Sequence, residues 1–210
     1  MYPRWPYVFT AEQKVRKYTR MKKRCDWCTG DELYVRYHDE EWGVPLLDDR
    51  QLFEFLILEG AQAGLAWITV LRKRENYRLA FDQFDPEKIA RYGDKERERL
   101  LSDAGIIRNR LKIDSAINNA QRYLALLESS CSFSEFVWQF VDGQPVQNRF
   151  VSRKDVPAST ELSDKMSTSL KQLGFNFVGT TICYAFMQAT GMVNDHLTAC
   201  YRHEECRRLC

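Results

Sequence analysis

"DDRQLFEFLILEGAQAGLAWITV", residues 48–70, reads as a helix that carries an acid on its apolar face. Leu52, Phe55 and Leu56 follow the i, i+3, i+4 spacing of a buried stripe, and the next place in that series is held by Glu59. The start is well marked: Asp48 is the N-cap, Gln51 its capping-box partner, and Leu47 and Leu52 the two halves of a hydrophobic staple. With the phase set, Glu59 points either into the core or, if the helix stops beside Gly60, out to solvent. Its neighbours have to decide.

Outward from this segment the signals stay helical. Asp94 to Asp103 is a helix stopped by Ala104 and Gly105, and a long helix begins near Arg110. Ile113, Ala116, Ile117, Ala120, Tyr123, Leu124 and Leu127 form its core stripe. A further helix covers 133–141. Residues 143–160 are polar, hold Pro145 and Pro157, and read as a surface loop. A helix over 163–173 then precedes "GFNFVGTTICYAFMQATG". No alternating pattern competes, so the expected fold class is all-α.

The 210 residues carry a net charge of only +2, which does not mark a nucleic-acid binder. Residues 1–20 hold five Lys/Arg against Glu12; without them the chain has 26 basic and 28 acidic residues, a net of −2. That basic segment reads as an extension; such tails are more often merely solvated, though with Trp5, Tyr7 and Phe9 it could touch DNA phosphates. No apolar run approaches the roughly 18 residues of a membrane span, and the first twenty residues lack a signal-peptide core. The expected chain is soluble and cytoplasmic, with no membrane partner.

Cysteine and histidine crowd the two ends: Cys25, Cys28 and His38 at the front, His196, Cys200, His203, Cys206 and Cys210 at the back. Seven cysteines, unevenly spread, suit reduced thiols and a metal better than a disulfide framework. Two Cys and two His would close a tetrahedral zinc site with no open position for catalysis. His196 and Cys200, one helical turn apart, could face one ion. Spacing alone does not select the other ligands, and Cys25-x-x-Cys28 is the simplest pairing.

The stretch from "RCDWCTGDELYVRYHDEEWGVPLL" through "DDRQLFEFLILEGAQAGLAWITV", with "DAGIIRNRLKI" and "FVGTTICYAFMQATGMVNDH", resembles the 3-methyladenine DNA glycosylase I family over about residues 21–200. The resemblance implies a helix-hairpin-helix fold, a glycosylase domain over 21–202 with a tail at 203–210, and one structural zinc. It implies removal of 3-methyladenine from double-stranded DNA bearing alkylated bases, by a monomer. By similarity the zinc falls to Cys25, His38, His196 and Cys200, leaving Cys28, His203, Cys206 and Cys210 as rivals. The base pocket maps onto Glu59, as the catalytic and base-reading group, with Tyr37, Trp67, Trp27, Tyr34 and Trp42 around it. Aromatic faces suit an electron-poor methylated purine, and a carboxylate suits its hydrogen-bonding edge. Leu65 matches the side chain that wedges into the duplex, and Gly174, Gly179, Thr180 and Thr181 match the hairpin that receives a phosphate.

Many members of the helix-hairpin-helix superfamily place an aspartate near "MVNDH". Aligned on the histidine, that place falls to Asn194, with Asp195 next to it. Without an acid or base there, only a base that is already a good leaving group is released. Ala61 and Ala66 stand where more polar residues are usual, which bears on lesion range. The competing readings are a non-enzymatic, zinc-stabilised helical DNA-binding protein and a metal-dependent hydrolase. Four saturating zinc ligands disfavour the latter.

Overall fold

Asp31 and Asp48 each turn a carboxylate back onto free amides and so begin the first two helices, α1 (Glu32–Glu40) and α2 (Asp49–Gln62). The computed structural model describes residues 22–128 and 132–209; the expectations for 1–20, Cys131 and Cys210 lie outside them. The short α3 (Trp67–Leu71), α4 (Arg74–Ala80) and α5 (Pro86–Ile89) follow. Then come α6 (Asp94–Ser102), the long α7 (Arg110–Glu128) and α8 (Phe133–Trp138). The last are α9 (Glu161–Gln172), α10 (Thr180–Ala189) and α11 (Tyr201–Arg207), so the protein is mostly helical, as the periodicity predicts.

Helix α2 runs through Gly60 to Gln62 and is buried on every side from Leu52 to Ala61, which makes it the central helix. The Asp48 carboxylate accepts from Gln51 N at 2.9 Å, as expected. The staple contributes little, because Leu47 is 64 % exposed. Helices α3, α7, α8 and α10 pack around α2. On α7 the buried stripe follows Ile113, Ala116, Ile117, Ala120 and Tyr123 and then steps by three to Leu126, so that Leu127 faces outward.

Two features depart from the sequence reading. Val146–Gln147 (β1) pairs in parallel with Val193–Asn194 (β2), two strands too short to show any alternation. They stitch the 143–160 loop onto the "VNDH" segment, and Thr198 N donating to Phe150 O at 2.9 Å extends the seam. Helices α9 and α10 pack together across a turn at 173–179, where Gly174 has φ +84°. Gly179, by contrast, has φ −62°, so the turn does not demand a glycine there. Open space surrounds the position a Cβ would take. Asn118 Nδ2 donates to Gly174 O at 2.8 Å, and Asn119 brackets Asn176 through N–H and C=O, so α7 holds the turn in place. Phe177 packs within 3.2 Å of where a Gly60 Cβ would sit, which brings the turn against α2 one residue from Glu59.

Candidate functional site

Two acids of α2 are buried, and their surroundings differ. Glu54 receives Arg74 Nε at 2.6 Å and Arg78 Nη2 at 2.8 Å, a fully paired charge. Glu59 is 4 % exposed, and its Oε2 has no hydrogen-bond partner. Burial without a partner pushes the Glu59 carboxyl up to about 8. Trp67 Nε1, at the start of α3, is buried and unpaired as well. A folded interior rarely leaves two such atoms together, since each costs about 1–3 kcal/mol.

Both side chains line a cavity of about 330 Å³. Tyr37 from α1 lies against Trp67 with ring centroids 5.5 Å apart. Trp27 meets Tyr34 at 4.9 Å and Trp42 at 5.0 Å, and all five rings line the cavity. Because Tyr34, Tyr37 and His38 fall at i, i+3 and i+4 on α1, one helix presents two cavity walls and a candidate metal ligand. Burial raises both phenols, and the Glu59 carboxylate adds to the effect.

Cys25, His38, His196 and Cys200 are all buried, and their ligand atoms lie within 4.8 Å of one another. Cys200 Sγ is 3.4 Å from His38 Nε2 and 3.7 Å from His196 Nδ1; Cys25 Sγ is 3.7 Å from that same Nδ1. A tetrahedron with zinc–sulfur and zinc–nitrogen bonds of ordinary length has edges of about 3.3–3.8 Å, which those three separations match, and two thiols with two imidazoles are the donor types zinc takes. The outer nitrogens are held too: His38 Nδ1 by Asp39 at 2.8 Å, and His196 Nε2 by the Trp42 carbonyl at 2.9 Å. The rivals point elsewhere. Cys28 Sγ donates to Cys25 O, His203 Nε2 pairs with Asn148 O, and Cys206 is buried outside the cluster. The four-residue cluster adjoins the cavity, since Cys25 and Trp42 line it and the Trp42 and His196 rings are 4.6 Å apart.

In the "VNDH" segment the structure separates the two neighbours. Asp195 lines the cavity and accepts from Tyr184 Oη, Gln188 Nε2 and Asn148 Nδ2 at 2.6–2.7 Å. Asn194 turns away, donating to Gln147 Oε1 and His203 O. The 143–160 loop also does more than cover surface: Arg153, Val156 and Pro157 form part of the cavity wall. No periodicity announces either placement. Thr181, at the start of α10, lines the cavity, whereas Gly174, Gly179, Thr180 and Leu65 do not. Leu65 is 41 % exposed, after Gly64 at φ +78°. Ala61 and Ala66 stay outside the lining.

Residues 27–203 match the methyladenine glycosylase family. The chain belongs to that family. It is 54 % identical over 178 residues to DNA-3-methyladenine glycosylase 1 of Escherichia coli, covering 85 % of this chain and 95 % of that protein. A crystal structure of a 3-methyladenine DNA glycosylase I superposes with a TM-score of 0.84 at 56 % identity, covering 85 % of this chain and 98 % of the other. The Staphylococcus aureus enzyme, solved to explain 3-methyladenine recognition, superposes with a TM-score of 0.82 at 37 % identity over 85 % of this chain and 95 % of its own. The match takes in His38, His196 and Cys200 of the cluster and most of the cavity lining of this methyladenine glycosylase, and begins two residues after Cys25.

Proposed function

We propose that this chain is a DNA repair glycosylase that extrudes 3-methyladenine from alkylated double-stranded DNA and hydrolyses its N-glycosidic bond, leaving an abasic site. The observation that carries the reading is the unpartnered Glu59 Oε2, buried in a cavity fenced by Tyr37, Trp67, Trp27, Tyr34 and Trp42. A purine edge bearing N–H groups satisfies that oxygen, and the Trp67 N–H finds an acceptor on the same ligand. A helical DNA-binding protein that used these rings only as core would leave neither a cavity nor an orphaned acid.

The chemistry follows from what the site provides. 3-Methyladenine in DNA carries a positive charge, stacks well on electron-rich rings, and gains from the Glu59 carboxylate. When the bond from sugar to base breaks, the base keeps the electron pair and departs neutral. Water adds to the cationic sugar carbon, and its proton goes to solvent. The protein extrudes, selects and positions; Asp195 already accepts three hydrogen bonds, which fill most of its acceptor positions and fix it in place.

In this reading Cys25, His38, His196 and Cys200 hold one structural zinc, which fastens the cavity wall and leaves no coordination position for substrate. Leu65 replaces the stacking lost on extrusion, and the amides at Gly179–Thr181, which no side chain caps, receive a backbone phosphate across the hairpin. The enzyme acts as a monomer, and in the cytoplasm. No helix among the described residues is long and apolar enough to cross a membrane.

The test is base release from methylated duplex DNA, resolved by chromatography with and without chelator. Free 3-methyladenine should appear without added metal, normal adenine should stay in place, and Glu59→Ala should lose most of the release. Excision of adenine at a comparable rate, or no release at all, sinks the proposal.

A further inference from the structure

"DAGIIRNRLKI", residues 103–113, joins α6 to α7. Its Arg108 and Arg110 are exposed, and neither has an ion-pair partner among the described residues. Arg110 opens α7, whose first turn contains no acidic residue. Cations at a helix N-terminus face the positive end of the peptide dipoles, and the nearest acid on the helix, Asp114, is taken by Arg97 at 2.9 Å.

The same end of α7 is tied to the loop that carries Leu65. Lys112 Nζ donates to Ala61 O at 2.7 Å and Ala63 O at 2.8 Å, the carbonyls where α2 runs into that loop. About 9 Å further along the helix axis, at six residues of rise, Asn118 and Asn119 hold the hairpin turn through Gly174 O and Asn176. One helix therefore braces both elements assigned to DNA, and its first residue, Arg110, together with Arg108 just before it, offers two guanidiniums that pair with no acid among the described residues. Their planar, multi-donor shape matches phosphate oxygens.

We propose that Arg108 and Arg110 form a phosphate-binding patch that grips the DNA backbone beside the point where Leu65 enters the duplex, with Lys112 holding the Leu65 loop in register. The inference rests on the glycosylase reading above. It explains why an arrangement unfavourable to the helix is present: a polyanion reverses the sign of the local interaction when it binds.

The test measures affinity for a duplex oligonucleotide carrying a tetrahydrofuran abasic-site analogue, by fluorescence anisotropy across a salt series. For Arg108→Gln/Arg110→Gln, two lost phosphate contacts reduce the slope of log affinity against log salt by about 1.8. Free 3-methyladenine should quench tryptophan emission with unchanged affinity, and the melting temperature should hold or rise because the repulsion with α7 is gone. Arg108→Lys/Arg110→Lys should recover the slope. An unchanged slope overturns the proposal, and so does a slope change accompanied by loss of free-base binding, because the patch would then act through the fold. Failure of the unaltered protein to release 3-methyladenine would fall on the glycosylase reading instead, leaving the slope difference to judge the patch on its own.

Discussion

Glu54 and Glu59 stand five residues apart on one buried helix, and the contrast between them separates structure from function at the scale of a residue. Glu54 is held by two arginines. Glu59 keeps a lone, unsatisfied oxygen, and its carboxyl rises to about 8. Below pH ~4.5 the carboxyl is protonated whether the chain is folded or not. Between there and about 8 the unfolded chain gives up the proton and the folded one keeps it, so this residue's contribution to stability falls as pH rises. Glu59→Gln removes that slope. It should raise the melting temperature over wild type, by a margin that widens from pH 5 to 8 and then levels, on the order of a few kcal/mol in all. The same variant should bind free 3-methyladenine at least about tenfold more weakly, because it loses a charge-assisted hydrogen bond. Calorimetry and fluorescence titration check the two halves; a variant that gains neither stability nor a flatter pH profile would show that Glu59 is already solvated. Asn194→Ala, outside the cavity, should leave base affinity unchanged while lowering stability by about 1–2 kcal/mol.

Elements were legible where local pattern dominates. For Glu59 spacing left two orientations open and the resemblance pointed it inward, whereas the cap at Asp48 and the stripe on α7 as far as Tyr123 follow from spacing. The inward turn of Glu54 did not, because its arginine partners lie 20 and 24 residues away on α4. Nor did β1–β2 or the cavity-lining part of the 143–160 loop, whose contacts cross about forty-seven residues of chain. The crowding of Cys and His was visible, but choosing Cys25 over Cys28 took either resemblance or geometry. Gly191 shows the same dependence on long-range contact. It ends α10 at φ +72°, and a Cβ there would sit 2.3 Å from the Val44 carbonyl carbon. The two segments are already joined by Gly43 N to Gln188 O and Leu46 N to Thr190 O. Gly191→Ala should therefore cost more than about 3 kcal/mol, and it should displace the segment that holds Trp42. Thermal denaturation reads the cost; a loss of under 1 kcal/mol would mean that this crossing yields easily.

For the molecule as a whole, the decisive link is the one between its two ends. Cys25 and His38 meet His196 and Cys200 across 162 to 171 residues of sequence. Closing a loop of that length by a crosslink removes about 5 kcal/mol of unfolded-state entropy, and a metal bonded to all four side chains applies the same constraint. The zinc proposed there would also hold one wall of the cavity, since His196 Nε2 is bonded to the Trp42 carbonyl and Leu197 N donates to Cys25 Sγ. Removal of the ion should therefore do two things together. The melting temperature should fall steeply, and the segment from Val193 to the end of α11 should become the first site of proteolytic cleavage, while α6 and α7, which the cluster does not touch, stay protected. Cys25→Ser should reproduce both effects and lose one bound zinc per chain by elemental analysis, and returning zinc to chelated wild-type protein should reverse them. If chelation strips the ion but leaves cleavage pattern and melting temperature as they were, the four side chains are held by packing alone, and the ends of the chain need no metal to stay together.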